Sequence, residues 1–80
     1  MKAKVFVTFK EGILDPQGKA VQHSLETIGF GEVLNVRQGK LFEVALDDGL
    51  TKDDAKKKVT EMAEKLLANP VMENFEVVIE

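Results

Sequence analysis

Few side chains in this sequence are of the kinds that perform catalysis. The chain has no cysteine, tyrosine or tryptophan and a single histidine, His23. Covalent and acid–base catalysis depend on nucleophiles and proton-transfer groups of these kinds. One histidine is also a weak metal site, because zinc centres use several nitrogen, sulfur or oxygen ligands. We therefore interpret His23 as a surface residue and expect neither a catalytic set nor a metal site.

The charged clusters have simple interpretations as helix surface. Asp47, Asp48, Asp53 and Asp54 lie close together, but their spacing is not that of a calcium-binding loop. They fit a connection followed by the acidic first turn of a helix, which the helix dipole favours. The lysines at 56–58 are followed by glutamates at helical spacing, which indicates a solvated helix face rather than a binding patch.

The segment EGILDPQGKAV, residues 11–21, is the candidate for a phosphate-binding loop. It lacks both the Gly-Lys-Ser/Thr of a nucleoside triphosphate loop and the G-x-G-x-x-G of a dinucleotide loop. Asp15 followed by Pro16 instead indicates the start of a helix, because an Asp side chain accepts hydrogen bonds from free backbone amides and proline suits the first helical position. The segment is interpreted as a capped helix start.

Composition places the chain among soluble proteins. It has 80 residues, 44% of them apolar and 31% charged, with a net charge of −3. These values predict one domain over residues 1–80. No apolar stretch is long enough to span a membrane, which predicts a cytoplasmic protein, and the dispersed lysines argue against nucleic-acid binding. So short a chain buries only about 60% of the surface that its unfolded form exposes, less than a larger domain does, which favours self-association.

The elements that must position these residues follow from hydrophobic periodicity. Strands are predicted at 4–10, 32–37, 40–46 and 75–80, and helices at 16–29 and 51–69. The second and third strands are expected to form a hairpin around Gln38-Gly39. This β-α-β-β-α-β order predicts an α+β ferredoxin-like sandwich, in which a four-stranded antiparallel sheet carries both helices on one face.

Strand alternation divides the apolar residues between the two faces of this sheet. The face toward the helices is expected to hold Val5, Val7, Phe9, Phe42, Val44, Leu46, Phe75, Val77 and Ile79. The opposite face still carries Phe6, Val33, Leu41, Ala45 and Val78. An exposed apolar sheet face marks an interface, so these five residues are predicted to support a homodimer or tetramer.

Two other protein classes share the predicted strand order. RNA-recognition domains stack bases on exposed aromatic side chains, for which Phe6 and Phe42 are candidates. The third predicted strand, KLFEVAL, lacks their basic, glycine-containing motif, and the net charge is negative. A small dimeric ligand-sensing regulatory domain is not excluded by any spacing and remains an alternative.

Three motifs resemble one known family. L-D-P-Q-G at Leu14–Gly18, V-R-x-G-K at Val36–Lys40 and L-L-A-N-P-V at Leu66–Val71 occur in the order found in PurS. PurS is the small subunit of the three-part phosphoribosylformylglycinamidine synthase of purine biosynthesis. The resemblance extends over essentially the whole chain.

The resemblance implies a non-catalytic accessory subunit of an ATP- and glutamine-dependent ligase. Such a subunit joins a glutaminase subunit to a large synthetase subunit and assists the protected transfer of ammonia between them. The ligase converts formylglycinamide ribonucleotide to formylglycinamidine ribonucleotide. ATP and magnesium are then expected on the synthetase, with no cofactor in this chain.

The matching motifs also supply candidate contacts with the partner subunits. Five residues carried over in this way are Asp15, Gln17, Arg37, Lys40 and Asn69. Each also has a structural interpretation, because the motifs fall on a predicted helix cap, a predicted hairpin turn and a predicted helix end.

Overall fold

A computed structural model describes all 80 residues of the chain, from Met1 to Glu80. The elements are β1 (Lys2–Phe9), α1 (Pro16–Thr27), β2 (Lys40–Ala45), α2 (Lys52–Met62) and β3 (Glu73–Ile79), and a π-helical turn at Ala63–Leu67 extends α2. The architecture is α+β, with two helices and one antiparallel sheet. Neither helix has the length and apolar character that crossing a membrane requires.

The sheet has three strands in the order β2-β1-β3, with β1 in the centre. Val5 of β1 lies opposite Phe42 of β2 and Val77 of β3, so these three side chains share one face. Val5 and Val7 are at most 1% exposed and form the centre of the core. The residues predicted for the inner face of the sheet share one face in this register, but no helix covers the part of that face on β2.

The predicted four-stranded sheet is wrong, because residues 33–39 have no regular secondary structure and pair with no strand. A two-residue hairpin at Gln38-Gly39 would need a positive φ, and Gly39 does not have one. The N–H of Gln38 donates to the carboxylate of Asp15 at 2.8 Å. Gly39 passes so close to β1 that a Cβ there would meet the carbonyl oxygen of Val7 at well under 3 Å. These contacts replace the hairpin.

The second helix has the predicted start and the predicted packing. The hydroxyl oxygen of Thr51 accepts from the N–H of Asp54 at 3.1 Å and caps α2. Ala55, Val59 and Ala63 are fully buried on one side of the helix. That side lies on β1 and β3, so α2 covers half of the inner sheet face. We call β1, β2, α2 with its π-helical turn and β3 the body.

The first helix departs from the prediction that both helices cover the sheet. It begins at Pro16 after the Asp15 cap, as expected, but it is in extensive contact with neither the strands nor α2. The molecule is 50 Å long and 14 Å thick, with a radius of gyration of 15.9 Å, where a compact chain of this length has about 12 Å. Residues 10–39, with α1 at their centre, form an extension that we call the arm.

The outer sheet face carries part of the predicted oligomer surface. Phe6 lies opposite Leu41, and Val78 and Ala45 point to the same side. The side chains of Phe6 and Leu41 are 42% and 50% exposed. Val33 does not belong to this surface, because its segment is not a strand. We call the remaining four residues, Phe6, Leu41, Ala45 and Val78, the sheet patch.

Candidate functional site

Asp15 joins the start of α1 to the returning end of the arm through two hydrogen bonds. One carboxylate oxygen accepts from the N–H of Gly18 at 2.9 Å, and the other accepts from the N–H of Gln38 at 2.8 Å. The residue is 8% exposed. The Gly18 and Gln38 amides hold the pKa of Asp15 below its usual value, with a smaller contribution from the positive charge of Arg37, while burial opposes this shift.

Gly18 lies at the same contact between the start of α1 and the returning segment. A Cβ at this position would come within 3 Å of both the Val36 carbonyl oxygen and the Asp15 carboxylate. The first turn of α1 and the segment of residues 33–39, which returns past it, therefore approach too closely for any side chain at residue 18. This contact explains the last glycine of the L-D-P-Q-G motif by packing rather than by phosphate binding.

A cleft of about 310 Å³ lies beside the hydrogen bonds of Asp15. Lys10 at the end of β1, Lys19 in the first turn of α1 and Arg37 in the returning segment all line it. None of these three cations has a carboxylate oxygen within 4.0 Å. We call this recess the cationic cleft. It contains two predicted site residues, since Asp15 and Arg37 both line it.

A smaller recess of about 100 Å³ lies where the arm joins the body. Gln17 and Lys40 both line it, so the structure brings these two predicted residues together. The Lys40 ammonium lies 3.7 Å from the carboxylate of Glu73, a side chain that is 9% exposed. The other oxygen of that carboxylate accepts from the N–H of Asn69 at 2.8 Å. Lys40 and Asn69 are thus linked through Glu73.

Asn69 has a second structural role at the end of the helical segment. Its side-chain oxygen accepts from the N–H of Val71 at 3.0 Å, and its carbonyl accepts from the N–H groups of Met72 and Glu73. These bonds form the turn that leads into β3. The predicted site residue Asn69 therefore shapes the backbone with both its side chain and its main chain.

Sequence reasoning missed Glu73, Lys10 and Lys19. A signal for Glu73 was present, because the alternation of Phe75, Val77 and Ile79 places residue 73 on the inner sheet face, where a carboxylate needs partners. Nothing in the spacing of the two lysines indicates that they share a cleft, since folding brings them together from different segments.

The side chains at these recesses are groups that form hydrogen bonds and ion pairs. His23 is exposed on α1, as predicted for a surface residue. No three His, Cys, Asp or Glu side chains are grouped as metal ligands. Phe6 and Phe42 lie on opposite faces of the sheet, so they cannot form one base-stacking surface. The recesses present exposed polar and cationic groups beside the capped start of α1.

Comparison with known proteins gives one consistent result. Residues 2–80 match the model of the family described as PurS, phosphoribosylformylglycinamidine (FGAM) synthase. The phosphoribosylformylglycinamidine synthase subunit PurS of Bacillus subtilis is 46% identical over 79 residues, which are 99% of this chain and 92% of that protein.

Solved structures agree with the fold described above. PurS of Methanocaldococcus jannaschii, one of the subunits of formylglycinamide ribonucleotide amidotransferase, superposes with a TM-score of 0.88 at 35% identity, covering 99% of this chain and 94% of that one. A chain in the structure of PurLQS from Thermotoga maritima gives a TM-score of 0.72 at 29% identity, covering 96% and 93% of the two chains.

Proposed function

The chain belongs to the PurS family of phosphoribosylformylglycinamidine synthase subunits, and we propose that within this ligase it bridges the glutaminase and the ATP-dependent synthetase. The observation that carries the proposal is the family match over residues 2–80, and the exposed recesses at the base of the arm are in keeping with it. The relative from Thermotoga maritima, solved as PurLQS, supports assembly with two further subunits. The complex then works in the cytoplasm.

The amount of exposed surface supports a role in assembly. The chain exposes 5752 Å², where a compact protein of its mass exposes about 4,800 Å². The excess of about 900 Å² is close to the ~800 Å² that each partner buries in a typical stable interface. Because residues 10–39 form the arm and do not pack on the sheet, they add surface for contacts with other subunits and do not enlarge the core.

Ammonia transfer explains why such a bridge is useful. Ammonia released by the glutaminase protonates in neutral water and loses its nucleophilicity before it reaches an activated amide, unless water is excluded along its way. In the proposal, ATP and magnesium act on the synthetase, which activates formylglycinamide ribonucleotide. This chain supplies surfaces that hold the two active subunits together and assist the protected passage.

Exposed residues at the base of the arm are the proposed partner contacts. The side chains of Gln17, Arg37 and Lys40 are exposed around the two recesses. Asp15 and Asn69 act differently, because their polar atoms are engaged in backbone hydrogen bonds that shape the site. Replacing Gln17 with Ala should weaken assembly and leave the melting temperature unchanged. A lowered melting temperature with unchanged assembly would assign Gln17 to the fold alone.

Self-association is the second part of the proposal. The half of the inner sheet face over β2 has no helix on it, and Phe42 and Val44 are only partly buried there. The arm, in turn, exposes apolar side chains that no part of its own chain covers, among them Ile28 at 69% and Leu34 at 91%. A second copy satisfies both surfaces when each arm packs on the body of its partner. The sheet patch offers a further contact that would make a tetramer.

Sedimentation of single variants tests this arrangement. Leu34→Lys on the arm should give a smaller species if arms pack on partner bodies, and Phe6→Lys should do so if the sheet patch associates. Neither substitution should unfold the monomer, because both side chains are exposed. A wild-type protein that is strictly monomeric at high micromolar concentration would overturn the self-association proposal.

Reconstitution tests the bridging role. The purified chain is combined with the glutaminase and synthetase of the same source, and the two activities are measured separately. Adding the chain should restore glutamine-dependent synthesis and leave ammonia-dependent synthesis unchanged, because supplied ammonia needs no transfer. Glutamine-dependent synthesis that is equally fast without the chain would contradict the proposal.

A further inference from the structure

The cationic cleft is lined by three cations that form no ion pair within the chain. Lys10, Lys19 and Arg37 come from three separate segments and meet around about 310 Å³ of open space. Four other lysines are ion-paired, among them Lys2 with Glu43 at 3.2 Å and Lys65 with Glu61, whereas the lysines of α2 at 52 and 56–58 point outward without a partner and line no recess with an apolar wall. The three cleft cations have no such partner within 4.0 Å.

The carboxylates that line the cleft cancel only part of this charge. Asp15 lines the cleft as a carboxylate whose two oxygens accept from the N–H groups of Gly18 and Gln38. Glu11 also lines the cleft and is exposed at its edge. Three cations against two carboxylates leave the recess positive on a chain whose net charge is −3. An incoming anion therefore meets local attraction despite the overall charge.

The walls of the cleft are apolar as well as cationic. Ile13, Leu14 and Val36 line it, and Leu14 is 69% exposed. An inorganic anion gains nothing from contact with these aliphatic side chains, because it has no apolar surface to bury. A peptide that carries an acidic residue beside an apolar one can contact both the cationic and the aliphatic walls.

We propose that the cationic cleft binds a short acidic segment of a partner subunit, with a carboxylate held among Lys10, Lys19 and Arg37 and an apolar neighbour on the aliphatic wall. The proposal rests on the assembly role described above and adds the chemistry of the contact. The occupant is a different protein rather than a second copy, because self-association has apolar surfaces of its own on the arm and the sheet patch.

Charge reversal with a matched control tests the cleft. Lys19→Glu and Arg37→Glu are compared with Lys56→Glu on the exposed face of α2, and each variant is first checked for an unchanged melting temperature. Affinity for the purified synthetase and glutaminase subunits is measured at low and moderate salt. The cleft variants should bind about tenfold more weakly and with a flatter salt dependence, while Lys56→Glu should stay within about twofold.

Additional variants keep the test decisive if a reversed charge disturbs the arm. Arg37→Gln should weaken binding in the same direction without repulsion, and Arg37→Lys should restore part of it. Wild-type affinity in all the cleft variants would overturn the proposal. A change confined to the sedimentation of the chain alone would also overturn it, because the occupant would then be a second copy.

A small-anion control separates a protein ligand from a free one. Inorganic phosphate is titrated at constant ionic strength while the amide signals of Lys19 and Arg37 are followed by NMR. The proposal expects no saturable shift. Saturation with unaltered subunit assembly would identify a small-anion site instead. If the reconstitution experiment succeeds while the cleft variants bind normally, the docking proposal fails and the bridging role stands.

Discussion

The body and the arm each contain one helix that begins at a side-chain cap, but the two helices differ in what covers their apolar side. In the body, Ala55 and Val59 of α2 are completely buried against the sheet. In the arm, Val21 and Ile28 of α1 remain 41% and 69% exposed. An amphipathic pattern therefore predicts that a helix forms. It does not predict whether the apolar side of that helix packs on the same chain or on another one.

The caps differ in the same way. Thr51 caps α2 with one local hydrogen bond to Asp54, three residues along the chain. Asp15 caps α1 and also accepts from Gln38, 23 residues away. The body needs its cap merely to begin a helix, because the sheet holds that helix in place. The arm has no sheet beneath it, so its cap must also hold the returning segment.

The largest expected effect distinguishes a buried valine from an exposed one. Val59→Ala in α2 should lower the free energy of unfolding by about 2 kcal/mol, because two buried methyl groups are lost and a cavity remains. Val21→Ala in α1 should change it by less than about 0.5 kcal/mol in the monomer. Urea denaturation measures both. Equal costs that grow with protein concentration would mean that a second copy covers the arm.

Glycine substitutions probe the base of the arm next. Gly18→Ala should detach the returning segment from α1, because the new Cβ would clash with the Val36 carbonyl and the Asp15 carboxylate. Gly31→Ala is the matched control, since nothing lies within 4 Å of a Cβ there and the residue has no positive φ. Hydrogen exchange should speed up in the arm of the first variant and leave the body protected. Equal protection in both variants would contradict the close approach.

Acid should loosen the arm through Asp15. Its pKa is lowered in the folded chain, so the stabilisation is complete above the usual value of 3.8 and is lost as the pH falls through the lower, folded pKa. The amide signals of Gly18 and Gln38 should report this transition below pH 3.8. Asp15→Asn should abolish the transition.

A body carboxylate supplies the control for this titration. Glu80 also has a lowered pKa, because Lys4 donates a hydrogen bond to it and lies beside it as a positive charge. Glu80→Gln should leave the response of the arm amides unchanged. A response that persists in Asp15→Asn and is shared by amides of the body would mean that acid opens the whole chain at once and not the arm first.

The smallest effects should be the same in both regions. Glu61 pairs with Lys65 on the surface of α2, and Gln22 donates to Glu26 on α1, each four residues apart. Glu61→Ala and Glu26→Ala should each cost no more than about 0.5 kcal/mol, because exposed pairs of this spacing contribute little. Thermal unfolding checks both values. A larger cost for Glu26→Ala would indicate that this side of α1 is buried against a second copy.

The positions of the candidate residues were predictable in part. Motif resemblance named Asp15, Gln17, Arg37, Lys40 and Asn69 as candidate partner contacts, and the structure places the first four at the base of the arm. Their contact with partner subunits stays a prediction. Their grouping into two recesses was not predictable, because it depends on how residues 33–39 return along α1. The predicted hairpin is also absent, because Gly39 lacks the positive φ of a tight turn and the N–H of Gln38 donates to the carboxylate of Asp15.

The two helices, three of the strands, the inner apolar face of the sheet and the family were predictable from the sequence alone. These features depend on periodicity, helix caps and motifs, which are local properties of the chain. Tertiary structure decided that α1 leaves the sheet, that Val33 joins no strand and that Lys10, Lys19 and Arg37 meet in one cleft. Such outcomes depend on competition between distant partners for the same hydrogen bonds and the same apolar surface, and no local pattern contains that competition.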